Sequence, residues 1–349
     1  MLRQFLVVST LASAVAAPLA MAADSAEKTT VGGKAYIDLT NINQDSDGVD
    51  ADTSGTGVDV KRFYVGIDHV FDDTWSANVT TDFNYVGNDG ETQVYIKKAF
   101  LQAKISDAFV VRAGSADLPW VPFVEGLYGY RYVENVLIDH LKFGTSADWG
   151  VHAFGKAGVV SYAASVVNGA GYKNPTRSKS MDVEGRVSVE PIKGLTIAAG
   201  FYNGKLGQEK ESVDTQHTAE RLDAVVAYVN SKFRVGAEYF EAKNWKQVLA
   251  PTTDKADGYS VWGSVNFTDT LAVFARYDDA DPSKDLAPDL NDTYFNVGLA
   301  FKPRKNVDLA LVYKQDKVES GTWSTSNGTI GGVDKGKYNE VGVWAQVAF

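Results

Sequence analysis

The sequence predicts an all-β chain that closes as a 16-stranded antiparallel transmembrane β-barrel, with short periplasmic turns, long external loops and a long third loop folded into the lumen. Three observations carry this. Apolar and polar residues alternate with period two through sixteen segments of about 8 to 14 residues. Tight joins alternate with long polar ones along the chain. Aromatic residues gather at segment ends on the apolar parity, as in Trp75, Phe109, Trp149, Tyr228, Phe233, Phe267, Tyr277, Phe301 and Tyr313. A soluble sandwich shares the alternation, but it has no reason to keep the loop rhythm through sixteen strands.

The first element is MLRQFLVVSTLASAVAAPLAMAAD. Arg3 precedes an apolar core running from Phe5 to about Ala17, and Ala20-Met21-Ala22 supplies a small-x-small cleavage pattern. The core is too short to cross a bilayer, so 1–22 reads as a secretory signal peptide and 23–349 as the barrel. Strands follow at 30–42, 58–71, 74–86, 92–105 and 108–115. In the third, Trp75, Ala77, Val79 and Phe83 oppose Ser76, Asn78, Thr80, Asp82 and Asn84. After a long interruption come 148–155, 159–167, 180–190 and 194–202; Val183, Gly185, Val187 and Val189 oppose Asp182, Glu184, Arg186 and Ser188. The series ends with 219–229, 232–241, 258–267, 270–278, 292–302, 306–315 and 337–349. In the last, Val341, Val343, Ala345, Val347 and Phe349 share one face, which lipid would cover, and pairing with the first strand, KAYIDLT, would close the barrel.

Joins at 72–73, 106–107, 156–158, 191–194, 230–231, 268–269 and 303–306 are tight. Those at 44–57, 168–179, 203–218, 243–257, 279–291 and 316–336 are long and polar, and only 87–91 is short on that side.

Composition excludes other classes. The chain has 34 Lys plus Arg against 44 Asp plus Glu, a net charge of -10, and loss of Arg3 with the leader makes it more acidic. Nucleic acid demands a basic surface and is not an expected partner. There is no cysteine, so no disulfide scaffold exists. No apolar run of eighteen follows the leader, so membrane crossing falls to strands.

The stretch from about 116 to 147 breaks the rhythm. Trp120, Phe123, Leu127, Tyr128, Tyr130, Tyr132, Leu137, Ile138, Leu141 and Phe143 make it too apolar for a solvated loop, and Val133, Val136, Leu137 and Leu141 hint at a helical turn. It is expected inside the barrel, where it narrows the channel; the other placement is over the mouth or in a subunit contact.

In the run 59–205 the chain resembles the phosphate-selective porin O/P family of bacterial outer-membrane porins. KRFYVGIDHVFDDTWSANVTTDF, IKKAFLQAK, VVRAG, VPFVEG, YRYVEN, DWGVHAFGK and VVNGAG occur in the family's order. The resemblance implies a homotrimeric outer-membrane porin passing small hydrophilic or anionic solutes by passive diffusion, with a phosphate preference in some members. It implies contact with outer-membrane lipid and lipopolysaccharide. A terminal Phe349 resembles the assembly signal of outer-membrane proteins as a class. Against the family's basic pore ladders, this chain is acidic overall, which keeps a general, weakly cation-selective porin as the alternative.

Parity points basic and acidic side chains into the lumen in similar number, so selectivity rests on the constriction. Arg62, Lys98, Arg112 and loop residue Arg131 are the expected basic side, with Glu125 and Glu134 the acidic counterparts; the same residues could instead tether the loop. No cofactor or metal site is expected. DSDGVDADTSG lacks the final glutamate of a calcium loop. An outer-membrane barrel hydrolase, built on His152 near Ser146 and Asp148, is the remote alternative, and a non-conducting structural or adhesive barrel is a third.

Overall fold

The chain closes on itself through its two outermost strands. In the computed structural model, which describes residues 27–84 and 92–349, β1 (Lys28–Ser46) pairs antiparallel with β17 (Gly328–Ala348), from Lys34 opposite Ala348 to Ser46 opposite Gly336. The expected signal peptide and the 87–91 join lie outside the described residues. Between the closing strands run β3 (Gly55–Val70), β4 (Trp75–Asn84), β5 (Gln93–Ser106), β6 (Phe109–Asp117), β7 (Ala147–Ala157), β8 (Val160–Val167), β9 (Asp182–Ile192) and β10 (Leu195–Gly204). They continue with β11 (Ala219–Val229), β12 (Phe233–Lys243), β13 (Lys255–Asn266), β14 (Leu271–Asp281), β15 (Asn291–Arg304) and β16 (Val307–Thr325). A two-residue piece, β2 (Val49–Asp50), lies in the first long connection. Sixteen strands thus form the wall, each paired antiparallel with its neighbours, and among the described residues closure leaves no strand at a free edge.

Side chains alternate across the wall as the pleat requires. Val341 and Val343 are exposed on the outside while Glu340 and Trp344 are fully buried within. Outer aromatics form linked pairs across neighbouring strands, Tyr259 with Tyr277 and Phe295 with Tyr313, and Tyr228 with Phe233 near a short turn. Amphipathic rings at these heights suit a membrane–water boundary.

Two parts depart from expectation. Residues 316–336, expected as a loop, extend β16 and β17 into a long hairpin whose last pair is Thr325 opposite Gly328. One face of the hairpin buries Val318 and Ile330 with Leu290 and Tyr338, and Trp323 stacks on Phe143 of the internal loop, so its apolar residues answer to protein packing and do not show the regular parity of a lipid-facing strand. The interruption also contains α1 (Val121–Tyr128), which the periodicity did not suggest, besides the short α2 (Leu137–His140) near the anticipated turn. Proline at the start of α1 needs no amide hydrogen there, and Gly129, at φ 83°, ends it in the left-handed region that glycine tolerates.

The long loop lies inside the barrel. Trp120, Val121, Val124, Leu137, Ile138, Leu141 and Phe143 are fully buried and pack on Val225, Phe240, Ala256 and Trp262 of the wall. The wall makes room with small residues. At Gly200 on β10 a Cβ would sit 2.5 Å from the Trp120 ring.

Candidate functional site: a constricted passage

The loop is bound to one half of the wall by arginines that donate to its backbone carbonyls. Arg186 Nε reaches Pro119 O at 3.0 Å, Arg221 Nη1 reaches Phe143 O at 2.6 Å, and Arg234 Nη1 reaches Leu127 O at 3.0 Å. Arg276 donates likewise to Asn135 O. Carboxylates accept from the other direction: Glu184 from the Trp120 amide and Glu238 from its indole, each at 2.9 Å. Loop carbonyls that helix and strand cannot satisfy therefore find charged donors in a buried place, where each such bond counts for more than in water.

That docking leaves open space against β1, β3, β4 and β5 toward the short turns, and against β3, β7, β9, β10 and β11 toward the long loops. Two cavities flank the constriction. One, of about 300 Å³, touches Arg62, Asp139, Lys142, Tyr172 and Lys173 on the long-loop side. The other, of about 330 Å³, touches Tyr36, Tyr64, Lys97, Lys98, Glu125 and Arg131 on the short-turn side.

The expected site residues divide among three places. Arg62 lines the passage, its Nη1 3.4 Å from Asp82 Oδ2. Lys98 also lines it, paired with Asp117 at 2.5 Å. Arg131 and Glu125 join them from the loop, 2.6 Å apart, with Asp139 3.9 Å from the same guanidinium. Burial works against charge on Arg131, but Glu125, Tyr64 and Asp139 outweigh it and hold its pKa above the ordinary arginine value. Arg112 lies apart, nearer the short turns, its guanidinium between the Phe100 and Phe154 rings at 4.5 and 4.6 Å. Glu134 is buried away from the passage and bonds Lys314 at 3.1 Å and Ser326 at 2.6 Å, a tether between loop and wall.

Sequence reasoning missed Lys97, Lys142 and Lys173. Lys97 sits over the Tyr64 ring at 4.8 Å and donates to its hydroxyl at 3.4 Å; Lys173 sits over Tyr95 at 4.8 Å. Among the described residues none of these three ammonium groups pairs with a carboxylate within 4.0 Å. Lys142 and Lys173 stay solvent-exposed, and partial desolvation by the surrounding lumen lowers their pKa from the ordinary lysine value, Asp139 opposing the shift at the first and Asp82 at the second. The double lysine at 97–98 was a visible signal, but strict alternation sends only one of the two inward.

His152 bonds Ser165 at 2.8 Å and the Gly114 carbonyl at 3.3 Å, while Asp148 accepts from the Trp149 and Gly169 amides. Among the described residues no Ser-His-acid relay is assembled around it.

Similarity to known proteins agrees with this architecture. The anion-selective porin from Comamonas acidovorans superposes with TM-score 0.69 at 12% identity, covering 93% of this chain and 100% of that one. The outer-membrane channel DcaP of Acinetobacter baumannii gives 0.64 at 14% identity over 94% and 99%. OmpT of Vibrio cholerae, in a trimer form, gives 0.64 at 12% over 93% and 100%. No curated protein matches in sequence. The family profile described as Gram-negative porin matches residues 9–321, nearly the whole barrel, and the chain belongs to the Gram-negative porin family.

Proposed function

We propose that the protein is a passive diffusion porin of the bacterial outer membrane that prefers small hydrophilic anions, inorganic phosphate among them. The observation that carries this is the set of unpaired ammonium groups, Lys97, Lys142 and Lys173, beside the paired Arg62, Lys98 and Arg131. Acidic groups at the passage are each bound to a cation or an amide: Asp117 to Lys98, Glu125 to Arg131, and Asp148 to two backbone amides. Net positive potential in a narrow, low-dielectric passage favours anions despite the acidic chain. The Comamonas porin, anion-selective by its own description, shares the fold and supports the reading by analogy. A homotrimer is part of the proposal, supported by the trimeric Vibrio relative; so are an exported precursor with a leader at 1–22 and contact with membrane lipid and lipopolysaccharide. The protein acts as a channel and not as an enzyme.

The test is reconstitution in a planar bilayer with a KCl gradient. An anion-directed reversal potential, conductance steps in threes and block by phosphate are expected. A cation-directed potential would replace this reading with the general porin, and absence of conductance would end the channel reading.

A further inference from the structure

A second buried cluster lies behind the constriction loop and takes no part in the passage. His140 at the end of α2 meets Asp292 of β15 and Asp316 of β16, all fully buried, with ligand atoms within 4.8 Å of one another. His140 Nε2 lies 3.2 Å from Asp316 Oδ2. Each of the three side chains has a buried polar atom with no hydrogen-bond partner: His140 Nε2, Asp292 Oδ2 and Asp316 Oδ1.

The surroundings orient the ring. His140 Nδ1 is 2.6 Å from Ser326 Oγ, and that hydroxyl donates to Glu134 Oε1 at 2.6 Å. With the hydroxyl proton committed to the carboxylate, Nδ1–H is the donor and Nε2 is left facing two aspartates. A lone pair opposite two carboxylates is repulsive, so the space calls for a cation. Neighbouring bases are committed elsewhere: Lys314 bonds Glu134 and Glu340 at 3.1 and 2.7 Å, and Arg276 pairs with Asp278. Imidazole with carboxylates is a donor set for first-row transition ions, and a histidine whose second nitrogen is held through a hydroxyl to a carboxylate is the outer arrangement such sites use. Hard ions such as calcium take all-oxygen cages and fit this set less well.

We propose that His140, Asp292 and Asp316 bind a divalent transition-metal ion of the Zn²⁺ class, which clamps the constriction loop to the barrel wall. Zinc holds such donors at about 2.0–2.2 Å, so the side chains draw slightly inward and leave a fourth position for water. The proposal does not rest on the anion-preferring reading, since the cluster lies outside both cavities that flank the passage.

The experiment uses the purified full-length porin, stripped with EDTA and equilibrated with ZnCl₂, with bound zinc counted per folded chain by atomic emission. Wild type is expected to retain one more equivalent than His140→Gln or Asp292→Asn. Asp292→Asn is nearly isosteric and carries the test should the histidine variant not fold. In bilayers, Zn²⁺ is expected to quiet the current noise of single wild-type channels, EDTA to restore it, and the Asp292→Asn channel to ignore both. Equal zinc on wild type and variants would place the metal on other groups such as His69 or His217 and overturn the proposal. No zinc on wild type would assign the positive charge to a second proton on His140, and that too overturns it.

Discussion

Lys97 reaches the passage because β5 carries one residue more than β4 at that height. Thr80 pairs with Lys98 and Thr81 with Ile96, so Lys97 is the bulged residue. A bulge re-aims a side chain that regular alternation would send to the other face, and here both lysines serve the lumen. Lys97→Glu is therefore expected to move the reversal potential in a KCl gradient toward cations while leaving the unit conductance of the same order. An unchanged potential would remove Lys97 from the selectivity set. Gly200 is a second residue with leverage. A valine there would press its Cβ into the Trp120 ring, so Gly200→Val is expected to shift the loop and change unit conductance, with Gly200→Ala showing the smaller change.

At the scale of the element, the constriction loop is a hydrophobic plug pinned by charge. Trp120 fills the Gly200 hollow and gives its indole proton to Glu238. Trp120→Ala is expected to cost about 3–5 kcal/mol, as large core truncations do, and also to leave Glu238 without that donor. Urea unfolding in detergent would read the loss, and open-channel noise would read the loosened loop. Stability unchanged within about 0.5 kcal/mol would contradict the packing described here. Helix α1 was hidden in the sequence because its start is marked only by prolines and its length is eight residues. The hairpin of β16 and β17 was hidden for the opposite reason. Lipid does not enforce an apolar parity there; Val318 and Ile330 are buried against Leu290 and Tyr338, and Trp323 stacks on Phe143 of the loop, contacts with segments that the local pattern does not mark.

For the whole molecule, net charge and pore charge are separate quantities. The chain carries -10, yet the passage holds unpaired lysines, while Arg186, Arg221, Arg234 and Arg276 are occupied in binding the loop's backbone carbonyls. Selectivity should then respond to pH in a defined direction. Partial desolvation in the lumen lowers the pKa of Lys142 and Lys173, which remain exposed to the passage, so each gives up its proton at a lower pH than a free lysine would. The anion preference is expected to decline on the alkaline side before ordinary lysines titrate, and to be full at neutral pH. Reversal potentials taken from pH 7 upward would show it, and a preference constant until surface lysines discharge would argue against these two groups.

The barrel is written in the local pattern of the chain. Period-two alternation is local, lipid enforces it on every strand, and the short and long joins set the antiparallel order, so the strand count, the closure of KAYIDLT on EVGVWAQVAF and the internal loop were all legible. Arg62, Lys98, Arg131 and Glu125 were legible as lumen or loop charges, but their assembly at one constriction was not. Which charges meet depends on where the loop docks, on one bulge in β5 and on residues far apart in the chain. That Glu134 faces Lys314 and Ser326 rather than the passage, and that His140, Asp292 and Asp316 converge, follows from long-range packing alone. The reason is physical: parity fixes the face on which a side chain stands, whereas its partner across the lumen is fixed by packing between segments that carry no mark of one another.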